Sequence, residues 1–507
     1  MSESVRSELR YPPERLVRIC APEDLDAGAI VRIAGGDGIV LDPALLHSVG
    51  ENRAVVLAAL TGESVVYGVS TGVGRFASYR LDAQAQAEHQ HQLLAGRSVG
   101  GPPWLPAADV RAVMAIKLRA LLAPETGASA ELCRYLADRI NDRLIAAVPC
   151  GGIGCSGEII PLCHAFQTLV GLGEALEDGT LIAAVDALAR RGVAPYRAGP
   201  KEGLALIEGA PVATMHAILR GGEALRVAHW QLFALAFTVD ASGAPRAIYD
   251  SRIAGGVDDV LAQVLGEVRR LSEGGLVRTE VVQAPVSVRV GPQALAHLRR
   301  VIDDLAGAAR RGLGVVTDSP AWLMQEFVSS AGFHAAELGL RLDAVAAALV
   351  HVAEISVQRM HRLLDDRYTG LPPQLAAAPG RQVGLAAVHK RATGELHTMR
   401  RLATPATLGS IDTSAGQEDV QAFACAAGEQ LRAVIDGLFV VTACELIAAV
   451  QACRLRCVEP APALRWLRDW IAHAVPLITD DRPLGPEIAS LTTALRSREP
   501  QSGDRLP

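Results

Sequence analysis

Residues 151–161, GGIGCSGEIIP, constrain this chain more than any other stretch, because four glycines surround a single serine. Glycine allows backbone conformations and close approaches that other residues do not. The amide nitrogen of Gly157 can attack the carbonyl carbon of Cys155, since Gly157 has no side chain in the way. Loss of water closes a five-membered ring, and Ser156 then loses its hydroxyl to become an exocyclic methylene. The triplet therefore predicts a backbone-derived electrophile, a 4-methylidene-imidazol-5-one.

Three other interpretations of this stretch are weaker or less informative. A hydrolase nucleophile elbow has one residue between its serine and the next glycine, whereas Gly157 follows Ser156 directly. A P-loop requires Lys-Ser or Lys-Thr after its glycines, and neither follows here. A plain glycine-rich turn before a helix stays open on this stretch alone.

Composition favours a large helical core. The chain has 507 residues, half of them apolar and only 4% aromatic, and this balance predicts a mainly α fold. The net charge of −6 gives no basic footprint for nucleic acid. No metal site is expected, because His89 and His91 lack a supporting cluster of cysteines or carboxylates.

The termini and cysteines predict a cytoplasmic protein with no membrane segment. The first 16 residues have no apolar run typical of a signal peptide. Nine cysteines occur without CxxC pairs, which fits a reducing compartment. Residues 438–450 are the most apolar run, but they are too few to span a bilayer and include Glu445. We expect them to form a helix that is buried on all sides.

Periodicity and breaker residues predict the organisation of the chain. We expect residues 1–20 to be a flexible arm, residues 21–205 an N-terminal catalytic part, and residues 206–507 a helical bundle with C-terminal helices. Residues 371–400, with Pro372, Pro373, Gly380 and Gly394, are predicted to be a long surface connection. Two helices are predicted before the glycine-rich triplet, over residues 107–122 and 128–144, and a buried stripe after it. The stripe comprises Leu338, Leu342, Val345, Leu349 and Val352.

The sequence GGIGCSGEIIPLCHAF resembles the signature of the histidine and aromatic amino-acid ammonia-lyase family, with Cys155 in place of the usual alanine and Glu158 in place of aspartate. Further motifs of the family recur in order along nearly the whole chain. The resemblance implies a long-helix bundle of the ammonia-lyase and fumarase type with a smaller, loop-rich N-terminal part. It also implies a homotetramer whose sites are shared between subunits, an amino-acid substrate, and no external cofactor.

The segment YGVSTGVGR, from Tyr67, resembles the family's loop that lids the site and carries the base. The resemblance therefore implies that Tyr67 removes the β-proton of the substrate. A free tyrosine has a pKa of about 10, so its pKa has to fall for it to act as a base near neutrality. We expect nearby helix N-termini to lower it. Without the resemblance, the segment is typical of a glycine-rich surface turn.

Two segments resemble family stretches that contact the substrate or the prosthetic ring. In the first, Gln92 and Arg97 match positions that face the substrate's side chain, and Arg97 suits an acidic or strongly hydrogen-bonding group. In the second, GPKEGLALIEG, Glu208 replaces an asparagine that hydrogen-bonds the ring oxygen. A carboxylate cannot donate unless it is protonated. Either the pKa of Glu208 is raised or Glu208 pairs with a cation such as Arg97.

Arg289 matches the family's carboxylate-binding arginine, a role that suits a bidentate guanidinium. Its segment departs from the family pattern at Ala284 and Val286, which replace aspartate and tyrosine. The loss of that tyrosine is the clearest sign of altered activity.

Three further residues match family site positions. Phe333 is expected to pack against the prosthetic group, although Gly332 replaces an asparagine beside it. Gln417 and Glu418 match two site residues, and Glu418 is expected to bind the substrate's ammonium or relay a proton. The plainer interpretation of Glu418 is a carboxylate in the first turn of the following helix.

Three functions remain open at this stage. The first is an ammonia-lyase that releases an α,β-unsaturated acid, and the second is an aminomutase that returns the amine to the β-carbon. The third is a non-catalytic descendant that keeps the bundle as a binding or scaffold protein. The departures from the family pattern at Glu208, Ala284, Val286 and Gly332 support it. Catalysis is favoured because the triplet, Tyr67 and Arg289 are all retained. Histidine is disfavoured as the substrate, because the positions that read it are changed.

Overall fold

The computed structural model describes residues 15–61, 65–152 and 158–500. These residues are mainly helical, as the sequence predicts, and their α-helices are numbered here in chain order. The first nine are α1 Ala27–Ala34, α2 Pro43–Leu60, α3 Ala83–Ala95, α4 Ala107–Leu122, α5 Ala130–Asn141, α6 Ile159–Gln167, α7 Ala184–Ala189, α8 Glu202–Ile207 and α9 Pro211–Ser242. The others are α10 Asp259–Ser272, α11 Val286–Arg289, α12 Gly291–Gly314, α13 Ala336–Leu363, α14 Asp366–Thr369, α15 Ala386–Leu402, α16 Ala424–Arg456, α17 Arg465–Ala474 and α18 Gly485–Ser497.

Short strands form three two-stranded sheets. Strands β1 Leu16–Ile19 and β2 Gly38–Leu41 pair in parallel, so regular structure begins at residue 16, within the expected arm. Strands β3 Glu174–Glu177 and β4 Thr180–Ala183 are antiparallel, as are β5 Ala321–Leu323 and β6 Glu326–Val328. With so few residues in strands, most of the backbone hydrogen bonds in the fold lie within helices.

The chain forms two compact units. The first contains the described residues up to 219 together with 306–342 and 405–429. The second contains residues 220–305, 343–404 and the described residues from 430 onward. Each unit is therefore assembled from segments that are far apart in sequence.

Helix α4 is the core of the first unit, where it packs against α1 and α5. Its bounds coincide with the predicted ones, and most of its residues are buried on every face. The guanidinium of Arg111 donates hydrogen bonds to the carbonyl oxygens of Ile33, Asp37 and Ile140. A buried cation on an apolar helix is tolerated here because backbone carbonyl oxygens accept hydrogen bonds from its N–H groups.

In the second unit, the apolar helix α16 is buried as predicted. It is long and apolar enough to cross a membrane, but 83% of its most apolar window lies inside the fold. Glu445 within it is fully buried and accepts hydrogen bonds from Thr238, Ser356 and the guanidinium of Arg359. This carboxylate has four hydrogen bonds and a cation, which offsets the cost of removing it from water.

The predictions for residues 338–352 and 371–400 had opposite outcomes. All five residues of the predicted stripe in α13 are buried, which confirms that prediction. Residues 386–402 form helix α15 instead of continuing a surface connection, so the prediction for that part is wrong. Just over half of the positions of α15 are exposed, and Gly394 lies in its interior. The helix forms because a few buried residues, such as Leu396 and Met399, pack against the rest of the fold.

Candidate active site

The Tyr67 segment folds as a tight turn against α8. Gly68 has φ +66°, and a Cβ there would lie 2.8 Å from Cδ2 of Leu204, so only glycine fits without strain. The side chain of Gln90 fixes this turn, because its Nε2 donates to the Gly68 carbonyl at 3.1 Å. Its Oε1 accepts from the amide nitrogen of Leu204 at 3.2 Å. The segment is thereby tied to both α3 and α8.

A cavity of about 320 Å³ lies beside this turn. Four of the predicted site residues line it: Tyr67, Arg97, Glu208 and Glu418. Its other walls include the apolar residues Val73, Phe76, Val99, Ile159, Ile160, Leu204 and Ile207. Ile159 and Ile160 follow the predicted electrophile closely in sequence, whereas Cys155, Ser156 and Gly157 lie outside the described residues. Arg75 and Ser414 also line the cavity, which thus has an apolar wall and several polar groups, as is typical of a small-molecule site.

The hydroxyl of Tyr67 accepts a hydrogen bond from the amide nitrogen of Gly74 at 2.7 Å. Burial raises the pKa of Tyr67, and the charges of Glu208 and Glu418 add to the rise. The Gly74 amide and the Arg97 guanidinium oppose it. The expectation that the surroundings lower this pKa is therefore wrong for the described residues, because desolvation and two carboxylates outweigh the favourable groups.

Glu208 is 4% exposed, and its Oε2 has no hydrogen-bond partner among the described residues. It forms no ion pair with Arg97. Among the described residues, the Arg97 guanidinium donates only to the Leu93 carbonyl, at 3.4 Å. Burial raises the pKa of Glu208 well above its usual range, and the charge of Asp318 adds to this rise. Of the two alternatives drawn from the sequence, the structure supports the raised pKa.

Glu418 is half-buried in a loop and not in the first turn of a helix, because α16 begins only at Ala424. Its Oε2 accepts from the hydroxyl of Thr413 at 3.1 Å, and the two residues also exchange backbone hydrogen bonds. The helix-capping interpretation is therefore wrong. Gln417 is exposed and does not line the cavity.

Two other predicted residues lie away from the cavity in the first unit. Gln92 is on the exposed face of α3, and Phe333 is half-buried in the loop before α13. A Cβ on Gly332 would lie 2.0 Å from the carbonyl oxygen of Val316, so an asparagine does not fit here. The backbone itself occupies the space that the family's side chain would take.

Known proteins are similar to this chain along most of its length. Residues 25–472 match the family described as aromatic amino acid lyase. Histidine ammonia-lyase from Bradyrhizobium diazoefficiens is 32% identical over 489 residues, covering 93% of each chain. Histidine ammonia-lyase from Aromatoleum aromaticum is also 32% identical, covering 93% of this chain and 91% of that protein. The crystal structure of tyrosine aminomutase from Streptomyces globisporus superimposes with a TM-score of 0.89 at 24% identity, covering 93% of this chain and 95% of that one.

The chain belongs to the aromatic amino acid lyase family. The prediction of a carbon–nitrogen lyase is confirmed by the near full-length similarity to ammonia-lyases. The solved structure confirms the predicted fold class, and at 24% identity it adds nothing about the reaction.

Arg289 of the lyase lies in the second unit, at the end of the short helix α11. It is half-buried, and its Nε donates to the carbonyl oxygen of Ala284 at 3.0 Å. Tyr249 supports the same helix by donating its hydroxyl to the Val288 carbonyl at 2.8 Å. Val286, which replaces the family's tyrosine, is 63% exposed. The carboxylate-binding role of Arg289 stays a prediction.

Sequence reasoning missed a buried charged cluster in the first unit of the lyase. Lys117 and Lys201 are both buried, and Lys201 donates to the carboxylate of Asp318. Lys117 donates to the backbone carbonyls of Ala205 and Glu208. Burial lowers the pKa of Lys117 to about 8. The available signal was the position of Lys117 within the largely apolar run AVMAIKLRALL, where a buried charge has to find partners inside the fold.

Glu158, the residue after the triplet, is also part of this buried region. Its carboxyl accepts hydrogen bonds from the amide nitrogens of Val212 and Ala213, in the first turn of α9. Its own amide nitrogen donates to the Gly209 carbonyl at 3.3 Å. Main chain and side chain therefore both fix the residue that immediately follows Gly157.

Proposed function

We propose that this lyase eliminates ammonia from an α-amino acid and releases an α,β-unsaturated acid. The observation that carries the proposal is the cavity that gathers Tyr67, Arg97, Glu208 and Glu418 beside Ile159. A ring formed from Cys155, Ser156 and Gly157 would supply the electrophile that captures the substrate's amine or aromatic ring. The buried, unpartnered Oε2 of Glu208 fits such a group, because it leaves one polar atom available toward the cavity.

In this proposal, the residues of the chain bind the substrate and move its protons. Tyr67 takes the β-proton at its phenolic oxygen, the atom that the Gly74 amide holds in place at 2.7 Å. Tyr67 can accept this proton only as a tyrosinate, so its hydroxyl proton has to leave to solvent before the substrate reacts. Burial opposes this ionisation, and the Arg97 guanidinium favours it. Arg289 is proposed to hold the carboxylate, and Glu418 to hold the ammonium or relay a proton.

The other predicted contacts remain proposals. Phe333 would pack against the prosthetic group, Gln417 would assist Glu418, and Gln92 would face the substrate's side chain. Gln92 and Gln417 are exposed in the single chain. Because both match positions that face the site in the family, a neighbouring subunit would have to cover them, and this supports the proposal of a homotetramer with shared sites. Light scattering of the purified protein tests that proposal directly.

The side chain of the substrate is proposed to be acidic or strongly hydrogen-bonding. Arg97 is half-buried on the cavity wall, and its guanidinium has one long hydrogen bond among the described residues, so its other donors are available to a ligand. Histidine is the second candidate, because the relatives that are 32% identical are histidine ammonia-lyases. A ring nitrogen can also accept a hydrogen bond from a guanidinium.

A screen of the common amino acids, followed by ultraviolet absorbance of the unsaturated acid, tests the proposal. We expect turnover of a substrate with an acceptor group on its side chain. Arg97→Met should lower kcat/KM for it by about 10- to 100-fold, the worth of one charged hydrogen bond. Arg97→Lys is the matched control, since it keeps the charge. An unchanged kcat/KM in Arg97→Met would contradict this role.

Product analysis separates the remaining functions. Chromatography of the reaction mixture should show the unsaturated acid and ammonia. A β-amino acid as the main product would indicate an aminomutase, and absence of turnover with every amino acid would support the scaffold protein. We further propose a cytoplasmic location, consistent with the absence of disulfides among the cysteines of the described residues.

A further inference from the structure

The region around Glu208 contains more buried negative than positive groups. Lys117 lies within electrostatic range of the carboxyls of Glu158, Glu208 and Asp318, and of the second ammonium, Lys201. All five residues are at most 5% exposed. Three carboxylates and two ammonium groups would leave a net negative charge out of water, and the Arg97 guanidinium, which also acts on Glu208, is only half-buried and forms no ion pair with it. One carboxyl therefore retains its proton.

Hydrogen bonding decides which carboxyl this is. Asp318 accepts directly from the ammonium of Lys201, which favours its charged form. Glu158 accepts from two backbone amides of α9, which favours the charged form, so although burial raises its pKa to about 7, it loses its proton within the neutral range. Glu208 has neither advantage, because Lys117 donates to the main-chain carbonyl of Glu208 and the carboxyl Oε2 has no partner among the described residues.

We propose that Glu208 is a neutral carboxylic acid at pH 7 and that it donates a hydrogen bond from Oε2 to an oxygen acceptor bound in the cavity. A neutral acid is both a donor and an acceptor, whereas a carboxylate only accepts. The acceptor is either the carbonyl oxygen of the ring made from the triplet or the carboxylate of the bound substrate or product. This use of the proton rests on the proposed function, but the protonation itself rests on the fold.

A protonated Glu208 has a consequence for Tyr67. Glu208, Glu418 and Arg97 are the charged groups that act on the phenol in the described residues. An ionised Glu208 would oppose formation of a tyrosinate, and a neutral one does not. The proton on Glu208 thus removes one of the two negative charges that keep Tyr67 protonated.

Infrared spectroscopy in deuterated buffer tests the protonation without any assay of activity. The difference spectrum of the wild type minus Glu208→Gln should show the carbonyl band of a carboxylic acid at pH 7, and this band should persist at pH 8. The wild type minus Glu158→Gln is the matched control, and its acid band should disappear as the pH rises through about 7. Only carboxylate bands in the first spectrum at pH 7 would overturn the proposal. If Glu208→Gln does not fold, Glu208→Met serves as the reference.

Two further measurements, the absorption spectrum and the affinity for product, distinguish between the two proposed acceptors. If Glu208 donates to the ring, Glu208→Gln should keep the absorption maximum of the substrate-free protein, and Glu208→Met, which has no donor, should shift it. If Glu208 donates to a carboxylate, Glu208→Met should weaken product binding about 10-fold or more and leave the spectrum unchanged. Identical spectra and affinities for all three proteins would overturn the donor role. If the donor role fails in this way but the protein is still lighter than its encoded sequence by two water molecules, the ring has formed and the proposed function remains intact.

Discussion

Replacement of Glu158 by glutamine should change how the stability of the protein depends on pH. Glu158 is 4% exposed, and burial raises the pKa of its carboxyl to about 7 from an ordinary value of 4.5. The groups facing it are the amides of Val212 and Ala213, the thiol of Cys425 and the ammonium of Lys117. These groups favour the charged form, but desolvation outweighs them.

The sign of the effect follows from proton binding. Between pH 4.5 and about 7, the folded chain keeps a proton on Glu158 that the unfolded chain has released. Its contribution to stability is therefore fully present below pH 4.5, and it is lost as the pH rises through about 7. Each pH unit in that interval costs about 1.4 kcal/mol, so the whole interval costs about 3 kcal/mol. Glu158→Gln cannot titrate and should lack this loss.

Guanidinium unfolding of both proteins at one concentration, followed by circular dichroism from pH 4 to 8, measures the difference. The variant carries a roughly constant penalty of about 1–2 kcal/mol, because its amide NH₂ faces a backbone N–H. Relative to the wild type, it should gain about 3 kcal/mol across the interval. Glu326→Gln, at an exposed position, is the control for a surface charge. A difference between Glu158→Gln and the wild type that stays constant with pH, or changes in the opposite direction, would refute the reasoning.

Three other substitutions have defined outcomes. Tyr67→Phe should reduce kcat by about 10²- to 10⁴-fold through loss of the base, with the mass of the mature chain otherwise unchanged; normal activity would exclude Tyr67 as the base. Arg359→Met should destabilise the second unit by about 3–5 kcal/mol in denaturant, because Glu445 is left buried without its cation. The double variant Arg359→Met/Glu445→Met should recover part of this loss, and a further loss would contradict the account. Gly68→Ala should cost about 1–2 kcal/mol and lower kcat, because φ at this position is +66° and the added methyl meets Leu204; an unchanged melting temperature would contradict it.

Local patterns predicted the helical framework well. Both ends of helix α4 were predicted correctly because prolines mark them. Pro106 precedes its first residue, and Pro124 lies in the turn that follows its last. The buried glutamate of α16 was recognisable since one carboxylate in a long apolar run has to be paired inside the fold. Helix α15 was missed because its positions are mostly exposed and Gly394 interrupts it.

Features that depend on distant residues could not be predicted from the sequence. The ion pair of Lys201 and Asp318 joins residues 117 positions apart, and no local pattern links them. The rise in the pKa of Tyr67 depends on its burial and on the approach of Glu208 and Glu418, which only the fold defines. Family motifs identified four residues that line one cavity in the structure. They could not show that Gln92 and Gln417 are exposed in the single chain.

Intact-mass spectrometry of the purified protein tests the central claim most directly. If Cys155, Ser156 and Gly157 cyclise and dehydrate, the wild type should be lighter than its encoded sequence by two water molecules. Ser156→Ala has no hydroxyl to lose at this position, so it should lack the full deficit and have no activity. A wild-type mass equal to that of the unmodified chain would contradict the proposed electrophile and the ammonia elimination that depends on it.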